Sequence, residues 1–365
     1  MTSPIATPPK SDEIEISLFG PGKGEALVIH IGAGKWVIVD SCVSDPSGSP
    51  TPLQYLDSIG VDIKTDVLMI VASHWHDDHT RGLSTIVNKC INATFVCAGA
   101  MVKDKFATLG QVYAKSSLKD KSGICEFSRI HSILAERGAT VRRAYKNRPL
   151  LKRNSSETGL NFNFLLESLS PTDEAEELCI KQISEVISKL EAQRCVPDIT
   201  PNILSVVLQI VSGSDSILLG SDLENHTEHG WCIVVNDKIR SQSKSLAYKV
   251  AHHGSVSGHN DQVWSTMLED GTIALLAPFC CGRHRIPGAE DIKRIKTLTT
   301  NAYITTNHNK SLRSRNFPPD VKRTLGDAGI KITPTLKSKG HIRLRFAPNK
   351  PDTRRVDLFN GALKL

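Results

Sequence analysis

Over the first hundred positions, apolar residues come in short β-rich runs punctuated by glycine rather than at helical spacing. Ile14-Glu15-Ile16-Ser17-Leu18, residues 26–31 and residues 36–40 read as strands joined by tight turns. Residues 51–59 carry a helical pattern, and the run 66–72 is apolar throughout, as in a strand buried on both faces. Residues 81–89 return to a helix and 93–97 to a strand. Strands alternating with helices predict an α/β layered fold.

Further along, helices are expected at 127–137 and 289–298, and strands at 140–144, 161–166, 248–251, 272–278 and 340–346. Residues 203–211 and 217–220 flank the turn Gly213-Ser214-Asp215 and read as a hairpin. The stretch 172–194 is expected as a helical insertion, with Asp173, Glu174 and Glu176 at its start, where the helix dipole favours acids. The simplest summary is two βαβ-like halves, each opening with a hairpin. A Pro-, Ser-, Thr- and Lys-rich flexible lead-in is expected at 1–12, one domain at 13–347 and a C-terminal tail at 348–365.

A length of 365 residues allows a sizeable core, and 39% hydrophobic with 23% charged residues is globular in character. No stretch approaches the ~20 apolar residues of a membrane span. Met1-Thr2-Ser3-Pro4 shows no basic-then-apolar leader, so a cytoplasmic protein away from membranes is expected. Nine cysteines without a CxxC pair argue against a disulfide framework and a thiolate zinc knuckle. The net charge of +7 lowers the cost of approaching a polyanion, although a solvated basic surface accounts for it equally.

The chemistry concentrates in Ser73-His74-Trp75-His76-Asp77-Asp78-His79, directly after the buried run. Alternation turns His74 and His76 to one side, and Asp78 and His79 open the next helix facing the same space. Imidazoles and carboxylates without cysteine suit zinc, manganese or iron in an open site. Polar clusters at the carboxyl end of a buried parallel strand are where α/β folds build their sites.

His74-x-His76-x-Asp78-His79 resembles the HxHxDH signature of the metallo-β-lactamase superfamily, which implies a four-layer αββα sandwich with a metal site at one edge. Gly22-Lys23-Gly24-Glu25-Ala26 followed by Val37-Ile38-Val39-Asp40 is similar to that family's opening hairpin, whose aspartate sits behind the metals. Ile217-Leu218-Leu219-Gly220-Ser221-Asp222 resembles the strand ending in a metal-bridging aspartate, and Lys249-Val250-Ala251-His252-His253-Gly254-Ser255 the strand delivering the last histidine. Together with Asn202 and Ser205, these features look like the branch containing the metallohydrolase domain of the bacterial competence DNA-uptake channel protein and its stand-alone relatives. That resemblance implies phosphodiester cleavage, with DNA the favoured nucleic-acid substrate. Stand-alone relatives also occur with partner proteins in bacterial antiviral defence, so a protein complex is a further expectation.

The resemblance implies two divalent ions, zinc foremost and manganese as the alternative. His74 and His76 would hold the first, completed by Asn202 or solvent, because the only intervening histidine, His131, sits in a helical pattern unsuited to the role. Asp78, His79 and His253 (or His252) would hold the second, with Asp222 bridging and Asp40 behind. Asp78, Asp222 and His253 are the expected catalytic residues. For Asp222 a helix N-cap is the competing role, since Leu223-Glu224 follows. Strand alternation would send His252 and His253 to opposite faces. Lys249, Ser255, Arg283, His284 and Arg285 are expected to bind substrate, because guanidinium forks match phosphate oxygens. Trp75 either packs beneath the ligands or stacks on a base. Two other functions compete: hydrolysis of a thioester, lactone or β-lactam on the same scaffold, and a metal-stabilised sensor or effector subunit.

Overall fold

The computed structural model describes residues 4–21, 24–44, 48–115, 122–191, 201–281, 284–306, 318–327 and 340–365. Its strands, in chain order, are β1 (Ile14–Phe19), β2 (Ala26–Ile31), β3 (Trp36–Val39), β4 (Val67–Val71), β5 (Thr94–Ala98), β6 (Arg142–Ala144), β7 (Arg148–Arg153), β8 (Phe164–Ser168) and β9 (Leu208–Ser212). The series continues with β10 (Asp215–Leu219), β11 (Ser245–Lys249), β12 (Leu268–Leu276), β13 (Phe279–Cys281), β14 (His284–Ile286), β15 (Ala302–Ile304), β16 (His341–Phe346), β17 (Arg355–Phe359) and β18 (Leu363–Lys364). The helices are α1 (Thr51–Ser58), α2 (Asp77–Thr80), α3 (Leu83–Lys89), α4 (Asp104–Lys115), α5 (Ser122–Glu136), α6 (Ser155–Thr158), α7 (Asp173–Glu191), α8 (Trp231–Asn236), α9 (Ala289–Leu298) and α10 (Pro319–Asp327).

The first sheet runs β17-β16-β1-β2-β3-β4-β5-β6 and the second β18-β15-β12-β11-β10-β9-β8-β7, each of eight strands. Their inner faces share one core, in which Ile16, Leu18 and Ile29 of the first sheet meet Leu166, Ile210 and Ile217 of the second. Side-chain alternation decides which face each residue serves. On β10, Ile217 and Leu219 point into that shared core, whereas Leu218 joins Tyr248, Trp231, Val234 and Ile295 beneath α8 and α9. Leu53 and Leu56 of α1, Leu83 and Ile86 of α3, and Ile124 and Phe127 of α5 cover the first sheet. The result is the expected αββα sandwich.

Both sheets are mixed. β3-β4-β5-β6 and β10-β11-β12-β15 are the parallel blocks. Their carboxyl ends emerge at one rim, and that rim carries Asp40, His74 to His79, Asp222 and His252-His253.

Several expected elements lie elsewhere. Residues 201–204 form a 3-10 turn, so β9 starts only at Leu208; the apolar run from 203 continues across the turn into the strand. The strand expected at 161–166 is shifted to Phe164–Ser168. β11 ends at Lys249, and residues 251–254 are a tight turn rather than strand. Residues 348–365 are not a tail: β17 adds to β16 and β18 to β15, extending both sheets. Residues 5 and 7 are likewise tied down, their carbonyls accepting from Arg343 and Arg345. The helical insertion extends to Glu191, and its expected end at 192–194 lies outside the described residues.

Candidate metal centre

Asp40 follows β3 and is the anchor of the site. Its Oδ1 accepts from the Ser73 N–H at 2.7 Å, and its Oδ2 from the Ser73 hydroxyl at 2.6 Å and from His79 Nδ1 at 2.8 Å. With the hydroxyl proton committed to Asp40, Ser73 Oγ accepts from His74 Nδ1 at 3.0 Å. One buried carboxylate thus holds two imidazoles through Nδ1 and leaves each Nε2 to the site, the orientation in which a histidine ligates a metal.

The loop bearing these histidines is braced from behind. Trp75 is 5% exposed and packs on Phe106 with ring centroids 5.2 Å apart, so it is a core residue and not a base-stacking surface. Asp77 Oδ1 accepts from the Gly123 N–H at 2.7 Å at the start of α5. A Cβ at Gly123 would lie 1.8 Å from the Trp75 carbonyl oxygen, so only glycine lets this helix press on the loop.

On the second sheet the chain reaches the same rim through left-handed backbone. Ser221 (φ 47°), His252 (φ 47°), His253 (φ 55°) and Gly254 (φ 90°) all have positive φ. Successive left-handed residues replace strand alternation, which is why His252 and His253 do not simply face opposite sides. Two adjacent non-glycine residues in this region cost on the order of 1–3 kcal/mol each and persist where surrounding structure over-determines them. Here His253 Nδ1 donates to the Ala277 carbonyl at 3.0 Å, and the His252 N–H donates to the Ser221 carbonyl at 2.9 Å.

Four donors converge: Asp78 Oδ2, His79 Nε2, Asp222 Oδ2 and His253 Nε2 lie within 4.8 Å of one another. Nε2 of His253 is 3.1 Å from Asp78 Oδ2 and 3.3 Å from Asp222 Oδ2, and His79 Nε2 is 3.3 Å from Asp222 Oδ2. Asp222 caps no helix, since α8 begins only at Trp231. Nε2 of His79 and Oδ1 of Asp222 are buried without a hydrogen-bond partner. Beside this set, His74 Nε2 and His76 Nδ1 stand 3.0 Å apart, a spacing at which two imidazoles share a proton or a cation.

The electrostatics call for positive charge between the carboxylates. Burial resists charging His79 and His253, but Asp222 and Asp78, among other acceptors, outweigh it and raise both imidazoles well above their ordinary pKa. Burial would likewise raise Asp78 and Asp222; the two histidines win and hold both carboxyls low. For His74, burial and then the neighbouring His79 and His76 depress the pKa. His76 is lowered by burial as well. A neutral imidazole pair next to a carboxylate–imidazole cluster is a donor set that fits divalent metals of the zinc or manganese type.

The remaining expected residues fall in different places. Asn202 is 8% exposed and reaches Glu224 and His252, at 3.4 and 3.5 Å, with its Oδ1 unpartnered. The segment after it is tied to the histidine loop by the Val206 N–H donating to the Ser73 carbonyl at 3.0 Å. His252 pairs with Ser257 (2.8 Å) and Glu224 (3.2 Å), leaving His253 to the four-donor set. Ser255 Oγ accepts from the Ser257 N–H at 3.3 Å. Lys249 is no substrate contact: it is fully buried and ion-paired with Glu25. Arg283 lies outside the described residues, while His284 and Arg285 sit on β14. Arg285 pairs in register with Cys280, one residue from Phe279, whose ring stacks on His253 at 5.6 Å. His131 bonds to the Met101 carbonyl at 3.0 Å, away from the site. A second group at the surface, His226, Glu228 and His229, also brings three donors within 4.8 Å of one another, with its imidazoles stacked at 3.6 Å and 18°.

Glu25 is a participant to which the motif resemblance gives no role. It is 1% exposed and lies against Lys249, His79 and His253. A lysine closing an apolar strand (Leu246 to Lys249) was the available signal, because a buried ammonium demands a buried carboxylate.

No family model matches the chain, and no curated protein matches it. Solved structures similar to it include members of the metallo-β-lactamase superfamily. Zn2+-bound PqqB from Methylobacterium extorquens is 11% identical over 53% of this chain and 51% of that one, with a TM-score of 0.28. Metallo-β-lactamase SMB-1 bound to 2-mercaptoethanesulfonate is 12% identical over 68% and 82%, with a TM-score of 0.33. The hydrolase AbOPH of the β-lactamase superfamily is 12% identical over 59% and 72%, with a TM-score of 0.32. The chain spans about half the length of PqqB. The site rests on its own residues and not on these likenesses.

Proposed function

We propose that the chain is a metal-dependent hydrolase of phosphodiesters, with DNA the favoured substrate and a pair of divalent ions, zinc or manganese, as cofactor. The observation that carries the hydrolase reading is the convergence of two carboxylates with His79 and His253, each imidazole locked through Nδ1 so that Nε2 faces the cluster. Asp78, His79 and His253 would hold one ion, His74 and His76 the other, and Asp222 would lie between. Bound ions there supply a water of lowered pKa and offset charge growing on the phosphoryl oxygens. Asp78, the more accessible carboxylate of the four-donor set, orients the attacking water. His252, held by Ser257 and Glu224 beside Asn202, would pass a proton to the departing oxygen.

An anionic substrate is supported by the +7 net charge and by Arg285 on the β13-β14 hairpin that flanks His253 through Phe279. With Lys249 sealed inside, these carry the substrate reading together with the motif resemblance. The test is a substrate panel on the purified protein with added zinc or manganese: bis-p-nitrophenyl phosphate, plasmid DNA, RNA, nitrocefin and a thioester. Phosphodiester cleavage lost in the H74A/D78A variant is the expected result. Cleavage of nitrocefin or the thioester alone would move the substrate class. Inactivity of wild type and variant alike, with every metal, would favour the sensor or effector role.

A further inference from the structure

We infer that the Glu25–Lys249 pair is a positioning device for the whole four-donor set, reaching every one of its members from the buried side. The inference rests on the metal-centre reading above and concerns two buried residues outside the four-donor set.

Each member of the set is reached in its own way. The Glu25 N–H donates to the Asp78 carbonyl at 2.9 Å. The Glu25 carboxylate lies 3.3 Å from His253 Nδ1, on the ring edge opposite the ligating nitrogen, and 3.8 Å from His79 Nδ1. Lys249 donates to the Ser221 carbonyl at 3.1 Å, gripping the left-handed residue that turns Asp222 into the site, and its Nζ is 3.7 Å from Asp222 Oδ1. The two charges meet each other directly. Glu25 immediately precedes β2 and Lys249 ends β11, so the pair also spans the two sheets.

The approach needs Gly24. Its φ is +99°, and a Cβ there would lie 2.7 Å from the Asp78 carbonyl oxygen. The Gly24-Glu25 step therefore reads as a device for laying backbone directly under the metal loop and delivering a carboxylate behind two imidazoles. Outer-shell carboxylates orient ligating histidines and raise their basicity, and losing one lowers metal affinity by about 10–100-fold. The ammonium lets that carboxylate be buried, since an unpaired buried charge is strongly unfavourable.

The test compares Co(II) and Zn(II) binding, by competition with a chelating dye and by the Co(II) d–d spectrum, in wild type, D222A, E25Q/K249M and E25D. The double variant removes both charges together and leaves neither stranded; circular dichroism and thermal melting in chelator report its fold. The expected result is a folded double variant that binds about 10–100-fold more weakly with a shifted d–d band. E25D retains the charge but withdraws it from the imidazoles, so it decides the same question should the double variant fail to fold. Wild-type affinity and spectrum in the folded double variant, or in E25D if the double variant does not fold, would overturn the positioning role while leaving the metal centre standing. Equal, negligible binding by wild type and D222A would overturn both.

Discussion

Replacing Asp40 with asparagine tests the tautomer argument on which the centre depends. The carboxylate accepts three hydrogen bonds, from Ser73 N, Ser73 Oγ and His79 Nδ1, all at 2.8 Å or less. Asparagine keeps the shape but turns one oxygen into a donor. If its remaining oxygen stays on the Ser73 N–H, the new amide faces Ser73 Oγ and His79 Nδ1. His79 then either moves its proton to Nε2, which removes the lone pair aimed at the cluster, or leaves a buried N–H facing another donor. A buried unsatisfied donor costs about 1–3 kcal/mol, which corresponds to roughly 5–150-fold in metal affinity at 1.4 kcal/mol per tenfold. The Ser73 hydroxyl must also turn toward its other neighbours, loosening His74. Zinc affinity by chelator competition and the imidazole nitrogen shifts of His79 in the zinc-loaded protein report the two halves of the argument. A D40N protein that folds, binds zinc as tightly as wild type and keeps His79 in its Nδ1–H form would refute the reasoning.

Other consequences are equally open to measurement. His30 is buried and neutral, donating from Nδ1 to the Glu13 carbonyl at 2.8 Å and accepting the Gly34 N–H at Nε2, 3.1 Å; burial lowers its pKa from 6.5 to about 4. The folded state therefore binds fewer protons than the unfolded one in that window, and the stability difference between wild type and H30N in urea melts should shrink as pH falls from 6.5 towards 4, by about 3 kcal/mol in all; a pH-independent difference would contradict the assignment. Gly123→Ala should cost at least about 1–3 kcal/mol of stability and weaken metal binding, because its Cβ would push the Trp75 carbonyl in the middle of the histidine loop. Chelator should lower the melting temperature of the zinc-loaded protein, reflecting loss of about 4 kcal/mol at a free zinc concentration 1,000 times Kd, and should leave D222A unmoved.

The parts of this architecture legible in the sequence are those where one local pattern decides the outcome. β1 through β4 announce themselves by β-rich runs between turns, and the histidine loop by its position after a buried strand. The side-chain pattern misleads where backbone conformation departs from it. At 203–211 a 3-10 turn shares the apolarity of the strand it leads into. At 252–254 consecutive left-handed residues end the alternation assumed for His252 and His253. Lys249 misleads for a different reason: a lysine is ordinarily exposed, and its carboxylate partner lies more than two hundred positions earlier in the chain. The C-terminal strands were missed because β18 is only two residues long and borrows its order from β15.

Asp78 and His79 belong to the first sheet's rim and Asp222 and His253 to the second's, so the donors straddle the seam of the sandwich. During synthesis a ribosome will have displayed the His74 to His79 cluster for well over a hundred residues before its counterpart emerges. Throughout that interval the early cluster has no opposing carboxylate. Correct loading is therefore an event of the completed rim, and any ion captured sooner must be held by half a cage.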